Sequence, residues 1–283
     1  MAVVSFGSLA MNLGEGPSWN PVRSELTVVD IFGQAIHRLS AQDGGWAQGE
    51  SITTSSHVGA ALPLVDGTLI SVESEGIFRR DGHLCEFVCA VPAGGLSRRP
   101  NDAKLGPDGL LYVGVMDYDA TEGKGSLWSV NSLGESELLL DGLTIPNGMD
   151  WWGEQFWLVN GPEPVVTAYK RTPRGLVASH DLPTRGTPDG LTIDQEGNLW
   201  VALWGEGRVD CYGRDGELLH EVNIPASLST SVAFCGPYLS TLAITSARYG
   251  LSPAELRSSP SAGDVFFAKP GVRGRHPHTQ WKR

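Results

Sequence analysis

A unit that reads turn, strand, glycine-containing break, strand recurs six times along the chain, and no other feature restricts the fold as much. The first large apolar residue of each unit is Leu26, Leu69, Leu111, Phe156, Leu199 and Leu242, at intervals of about 43 residues, the length of roughly one blade of a propeller. Within each unit the second strand follows a break holding Gly33, Gly76, Gly125, Gly161, Gly205 or Gly263, which is hairpin patterning. Six such units leave a short N-terminal strand over. That strand completes the last blade, closes the ring and removes sheet edges that would otherwise pair with other chains. The expectation is an all-β, six-bladed β-propeller forming a single domain over residues 1–283. Two separate sandwiches would supply as many strands but no reason for a uniform period.

Composition agrees. Thirty-six glycines and 18 prolines break long helices and fall between short Val, Leu, Ile and Trp runs. The net charge of −11 repels phosphates and anionic membranes, and no basic stripe offsets it, so neither nucleic acid nor a membrane is an expected partner. No apolar run approaches the ~18 residues of a membrane span. "MAVVSFGSLAMNLGEG" carries no Lys or Arg ahead of its apolar stretch, unlike a signal peptide. A soluble cytoplasmic protein is expected. Four cysteines, Cys85, Cys89, Cys211 and Cys235, are too few for a disulfide framework and fit no zinc pattern, so they are expected to be core thiols.

Rotation about a propeller axis brings residues of equal phase together. Glu15, Asn101, Asn147 and Asp189 each lie about ten residues before the anchor of their blade, near the start of the innermost strand, where the chain faces the axial channel. Asn and Asp beside Pro and Gly are also ordinary turn residues, and for Pro107-Asp108-Gly109 that reading suffices. For the four in phase, a ring of two carboxylates and two amides offers hard oxygen donors that suit a divalent cation of the calcium, magnesium or manganese type. Without a cation, Glu15 and Asp189 would repel and one would tend to hold a proton.

Other chemistries lack support. There is no Gly-x-Ser-x-Gly elbow, P-loop or Gly-x-Gly-x-x-Gly, and "DYDATEGKGSLW" lacks the glycine and glutamate of an EF-hand loop. The histidines read as structural or solvated, His276 and His278 in a polar tail; His57, near the equivalent phase of blade 2, is the exception worth testing. Trp204 reads as blade packing or as a surface for a substrate's apolar face. Arg99, Asp117 and Asp119 flank the Asn101 blade and are either surface loop or hydroxyl-binding groups.

"LGEGPSWN", "RPNDAKLGPDGLLYVGVM", "IPNGMDW", "TPDGLTIDQEGNLWVALWGEGRV" and "TSARYGLSPAEL", in that order over nearly the whole chain, resemble the regucalcin, gluconolactonase and luciferin-regenerating enzyme family. The resemblance implies a six-bladed propeller with one divalent cation at its axis, Ca2+ first, with Zn2+, Mn2+, Mg2+ and Fe2+ as alternatives. It implies hydrolysis of a small-molecule sugar lactone in carbohydrate metabolism. By motif it implies Glu15, Asn147 and Asp189 as metal ligands, Asn101 on bound water or substrate, and Arg99 as a substrate-binding arginine. The sequence departs from the family at Gly114-Val115-Met116, where Gly-Thr-Met is usual, and at the substrate-binding acid, which falls on Asp119 in place of a glutamate.

On this reading the lactone carbonyl is polarised by the ion, Asn101 holds the attacking water, and Asp189 takes its proton, with water activated by the ion itself as the competing version. Two rivals stand beside it: a hydrolase of a non-sugar lactone or phosphotriester on the same site, with an apolar pocket around Trp204, and a calcium-binding propeller without catalysis.

Overall fold

The computed structural model describes residues 2–7, 9–42, 45–82, 84–173 and 175–283. Six antiparallel sheets follow one another along the chain, each running from an inner to an outer strand. Their innermost strands are Gly14–Asn20, Val58–Pro63, Arg98–Leu105, Ile145–Trp152, Thr187–Ile193 and Ser229–Cys235. Neighbouring innermost strands touch around the circle, the sixth against the first. This is the six-bladed β-propeller expected from the period. All six anchors lie in second strands and are buried, which is why the repeat was visible: each blade must bury an apolar residue at the same point of its second strand.

The ring is closed as anticipated. Val3–Phe6 pairs antiparallel with Val265–Ala268, so the start of the chain supplies the outermost strand of blade 6. The inner seam between blades 6 and 1 is held by Thr230 Oγ1 donating to the Gly14 carbonyl at 2.5 Å. Flat blade faces sandwich apolar side chains, for example Trp200 and Val209 of blade 5 with Phe234 and Ile244 of blade 6, and Tyr112 of blade 3 with Trp151 and Phe156 of blade 4.

The C-terminal segment, read from sequence as a polar tail, is a strap across one end of the ring. The Gly274 amide donates to Leu239 O in blade 6, Gln195 N to Arg273 O in blade 5, Lys282 N to Gly109 O in blade 3 and Val65 N to Thr279 O in blade 2. Arg275 adds ion pairing to Asp150 of blade 4 at 2.8 Å, and the Trp281 indole N–H donates to Val130 O. Beneath the strap a cavity of about 90 Å³ is lined by Asp102, Lys104, Asp150, Arg275, His276 and His278, among others. His276 and His278 therefore belong to the closed end of the channel, and the opposite end is where a ligand has room.

The cysteines divide. Cys211 and Cys235 are buried, as expected, but Cys89 is half-buried and Cys85 is exposed, because blade 2's outermost strand, Leu84–Cys89, has no further strand to cover it. The one helix among the described residues, Pro253–Ser258, is six residues long and capped by Ser252 and Glu255. Among the described residues no helix is long and apolar enough to cross a membrane.

Candidate active site

Each innermost strand carries a register shift at the level of the phased residues: between Glu15 and Ser18, Pro100 and Ala103, Pro146 and Met149, and Pro188 and Leu191. A bulge there places an extra residue on the inner strand and turns a side chain off the sheet plane into the channel. Proline fits beside it because the channel-facing edge of an innermost strand has no ladder partner that needs its N–H. The glycine after the ring residue has its own cause. A Cβ on Gly148 would lie 2.5 Å from Asp189 O, and one on Gly190 would lie 2.6 Å from Ser231 Cα, so the inner strands draw close only where no side chain intervenes. The repeated Pro-Asn-Gly and Pro-Asp-Gly motifs thus encode a narrow ring.

Glu15, Asn101, Asn147 and Asp189 are all buried and all line one cavity of about 370 Å³ at the mouth opposite the strap. Asn147 Nδ2 donates to Asp189 Oδ1, and the Gly16 amide donates to Glu15 Oε2 at 3.1 Å. Asn101 accepts from Arg99 Nη1 at 2.7 Å and donates through Nδ2 to Pro146 O at 3.1 Å. Burial raises the pKa of Glu15 well above the usual carboxylate range, and the charges of Asp189 and Asp102 raise it further. Asp189 is raised by burial and then by Asp102. The charge of Asp189 thus disfavours that of Glu15, and the fold holds the two buried carboxylates in place with no cationic side chain of a described residue bonded to either.

Asn147 Oδ1 is buried and has no donor among the described residues. A buried amide oxygen beside one carboxylate, in a cavity lined by a second, is a donor set that a hard divalent cation satisfies, and Asn147, Asp189 and Glu15 fit such an ion. No group of three or more His, Cys, Asp or Glu suited to a metal occurs among the described residues; the fit uses an amide as its third donor.

The structure brings Arg99 into the same cavity and leaves Asp119 out. Arg99 is 6% exposed, and its guanidinium lies over the Phe32 ring, 5.5 Å from the centroid. Asp119 is exposed and absent from the lining. Its amide donates to Asp117 Oδ1, which also accepts from Thr121 Oγ1, so the Asp117 carboxylate organises a turn. Its neighbours Tyr118 and Ala120 line the cavity instead, with Trp204 and Met116. Trp204 both lines the cavity and packs against the core beside Leu228 and Val29.

An aromatic rim escaped the sequence reading. Phe32, Tyr118 and Tyr249, from blades 1, 3 and 6, line the cavity. Tyr249 packs on Phe32 with centroids 5.0 Å apart, and His57 meets the Phe32 edge at 5.1 Å. His57 Nδ1 and the Tyr118 hydroxyl are 2.7 Å apart, which ties the loop after blade 3's second strand to blade 2. The signal for these residues was only that they follow second strands, the phase at which propeller loops open on one face.

Fold and ring together define a six-bladed propeller with a buried acid and amide cluster at the open mouth of its channel. Residues 13–248 match the SMP-30/Gluconolactonase/LRE-like region, and the chain belongs to that family. It is 32% identical over 257 residues to a pentonolactonase of Haloferax volcanii, covering 87% of this chain and 86% of the relative. It is 28% identical over 272 residues to a 6-deoxy-6-sulfogluconolactonase of Pseudomonas putida, covering 93% and 92%. The crystal structure of a calcium-binding protein, regucalcin, from Agrobacterium tumefaciens is similar at a TM-score of 0.87 and 26% identity, over 97% of this chain and 95% of that one.

Proposed function

We propose that the protein hydrolyses a sugar lactone to the open-chain hydroxy acid, with one divalent cation, Ca2+ in the first instance, held by Glu15, Asn147 and Asp189. The observation that most supports this reading is the donorless buried Asn147 Oδ1, beside Asp189 and in the wall of the ligand-sized cavity that Glu15 also lines. The relatives named as lactonases support the reaction type. The chemistry such an ion supplies when bound is polarisation of the lactone carbonyl and neutralisation of the charge that develops on its oxygen.

The side chains account for the remaining steps. Asn101 has one N–H and one lone pair left after its bonds to Pro146 and Arg99, enough to hold and orient a water molecule. That water forms a bond to the carbonyl carbon and gives a proton to Asp189, whose Oδ2 is not engaged by Asn147. Collapse of the tetrahedral oxyanion breaks the bond to the ring oxygen, which takes the proton back and becomes the free hydroxyl of the product. Burial among Leu13, Met116, Ile145 and Trp204 excludes bulk water and strengthens each polar contact. The same apolar wall favours, as a second reading, a non-sugar lactone cleaved by the same residues.

The test is a proton-release assay over a panel of aldonolactones and apolar lactones after exhaustive chelation, with each cation restored in turn. Activity on aldonolactones that disappears with the cation is the expected result. Turnover unaffected by chelation would refute the role of the ion, and no turnover on any lactone would refute the reaction.

A further inference from the structure

We propose that the substrate is a sugar lactone carrying a second sugar ring, and that Tyr118 and Tyr249 form the subsite that receives this ring. The inference rests on the lactonase reading and names the substrate class for that site. The cavity at the mouth has a polar floor and an aromatic rim: Glu15, Asn147 and Asp189 are buried, whereas Tyr118 is 37% and Tyr249 50% exposed. A lactone whose carbonyl meets the floor therefore turns the far side of its ring towards the tyrosines. The cavity measures about 370 Å³, within the roughly 300–1,000 Å³ of pockets that enclose drug-sized ligands. One lactone ring leaves part of it empty.

Both rim rings are held by contacts within the protein. The Tyr118 hydroxyl lies 2.7 Å from His57 Nδ1 and 3.2 Å from Ser74 Oγ, so blade 2 fixes it. Tyr249 packs on Phe32 at 5.0 Å, and its amide donates to Asn12 O at 2.8 Å. Phe32 also carries the Arg99 guanidinium, 5.5 Å from its centroid, and the His57 ring at its edge. It braces the rim, and the two tyrosines present the open surface. Rings fixed in advance lose little freedom when a ligand arrives, and a tyrosine pairs an apolar face with a polar edge that tolerates water. A hydrocarbon substituent gains in proportion to the area removed from water, which a rim this exposed leaves incomplete. A sugar ring suits it better, covering its C–H face while its hydroxyls stay hydrated.

Glucono-1,5-lactone and its 4-O-glucosyl and 4-O-benzyl derivatives test this by kcat/KM, since they share one ring and differ only at the oxygen across it from the carbonyl. The glucosyl lactone should exceed the parent by about tenfold to a hundredfold, at about threefold to tenfold for each aromatic contact, and should exceed the benzyl lactone. Tyr118→Ala and Tyr249→Ala should each remove about threefold to tenfold of that preference, and Tyr249→Phe should keep it. Calorimetric uptake of Ca2+ by each variant reads whether the ring is intact. Calorimetric binding of 1,5-anhydrocellobiitol against 1,5-anhydroglucitol, neither of which can be hydrolysed, reads the subsite in wild-type protein alone. Equal binding of the two would overturn the proposal, as would a preference undiminished in both alanine variants. A benzyl lactone preferred over the glucosyl one would also overturn it, by assigning the rim to a hydrocarbon. Parent lactone hydrolysed as fast as the glucosyl lactone would refute this inference and leave the lactonase reading intact. Tyrosine-dependent binding of 1,5-anhydrocellobiitol without turnover of any lactone would do the reverse.

Discussion

Replacing Gly190 by alanine should damage the ring without touching any of its donors. The added Cβ would lie 2.6 Å from Ser231 Cα, a backbone atom that cannot rotate away. Carbon atoms settle at roughly 3.5–4.0 Å, so the inner strands of blades 5 and 6 must part by about 1 Å. Overpacking of this kind costs about 1–3 kcal/mol, and at about 2–4 °C per kcal/mol for a chain of comparable size the melting temperature should fall by about 2–12 °C. Asp189 precedes the substituted residue and moves with its strand, so cation affinity should fall by about tenfold to a hundredfold, as when a ligand loses its support. Gly45→Ala is the control: a Cβ there meets nothing within 4 Å, and both quantities should stay at wild-type values. Differential scanning calorimetry and calorimetric titration with Ca2+ measure the pair. A Gly190→Ala protein that melts and binds like wild type would refute the claim that close approach of inner strands sets the ring.

Asp189→Asn removes one of two mutually repelling buried carboxylates, so in chelator it should melt no lower than wild type. Saturating cation, at a hundred times its dissociation constant, should stabilise only wild type, by about 2.7 kcal/mol; equal stabilisation of both in a thermal melt would contradict this. Asn101→Ala should lower turnover about a hundredfold while calorimetric cation uptake persists, and loss of uptake would make Asn101 a ligand. Arg275→Ala should lower the melting temperature by about 3–12 °C, since it breaks a charged hydrogen bond worth about 1.5–3 kcal/mol at the strap. Burial would raise the pKa of Asp150, but Lys104 and Arg275 outweigh it and hold the folded value below the ordinary one. The stability they contribute is therefore complete above the ordinary aspartate pKa and is lost as pH falls through the depressed folded value, so the gap between wild type and Arg275→Ala should shrink below about pH 4. A gap that widens in acid would contradict the assignment.

The blade count, the closing strand and the ring were legible because each repeats or follows from a repeat. An apolar anchor every blade, and Pro-Asn or Pro-Asp at a fixed phase, are local patterns that rotation turns into neighbours. The strap was not legible: its bonds from Gln195 to Arg273 and from Lys282 to Gly109 use backbone atoms, which any sequence supplies. Phe32, Tyr118 and Tyr249 gave no pattern either, because loops of different blades differ in length and their tips meet only in three dimensions. Asp119 shows the opposite failure. Its position after the Met116 strand suggested a group facing the substrate, but hydrogen bonding to Asp117 bends the loop so that Tyr118 and Ala120 reach the cavity.

The most direct measurement is calorimetric titration of the chelated protein with Ca2+, repeated on Glu15→Gln, Asn147→Ala and Asp189→Asn. One ion per chain in wild type, with uptake abolished or reduced at least a hundredfold in all three variants, is the predicted result. Uptake of an ion that survives loss of both carboxylates, or no uptake of any divalent cation by wild type, would contradict the account at its centre.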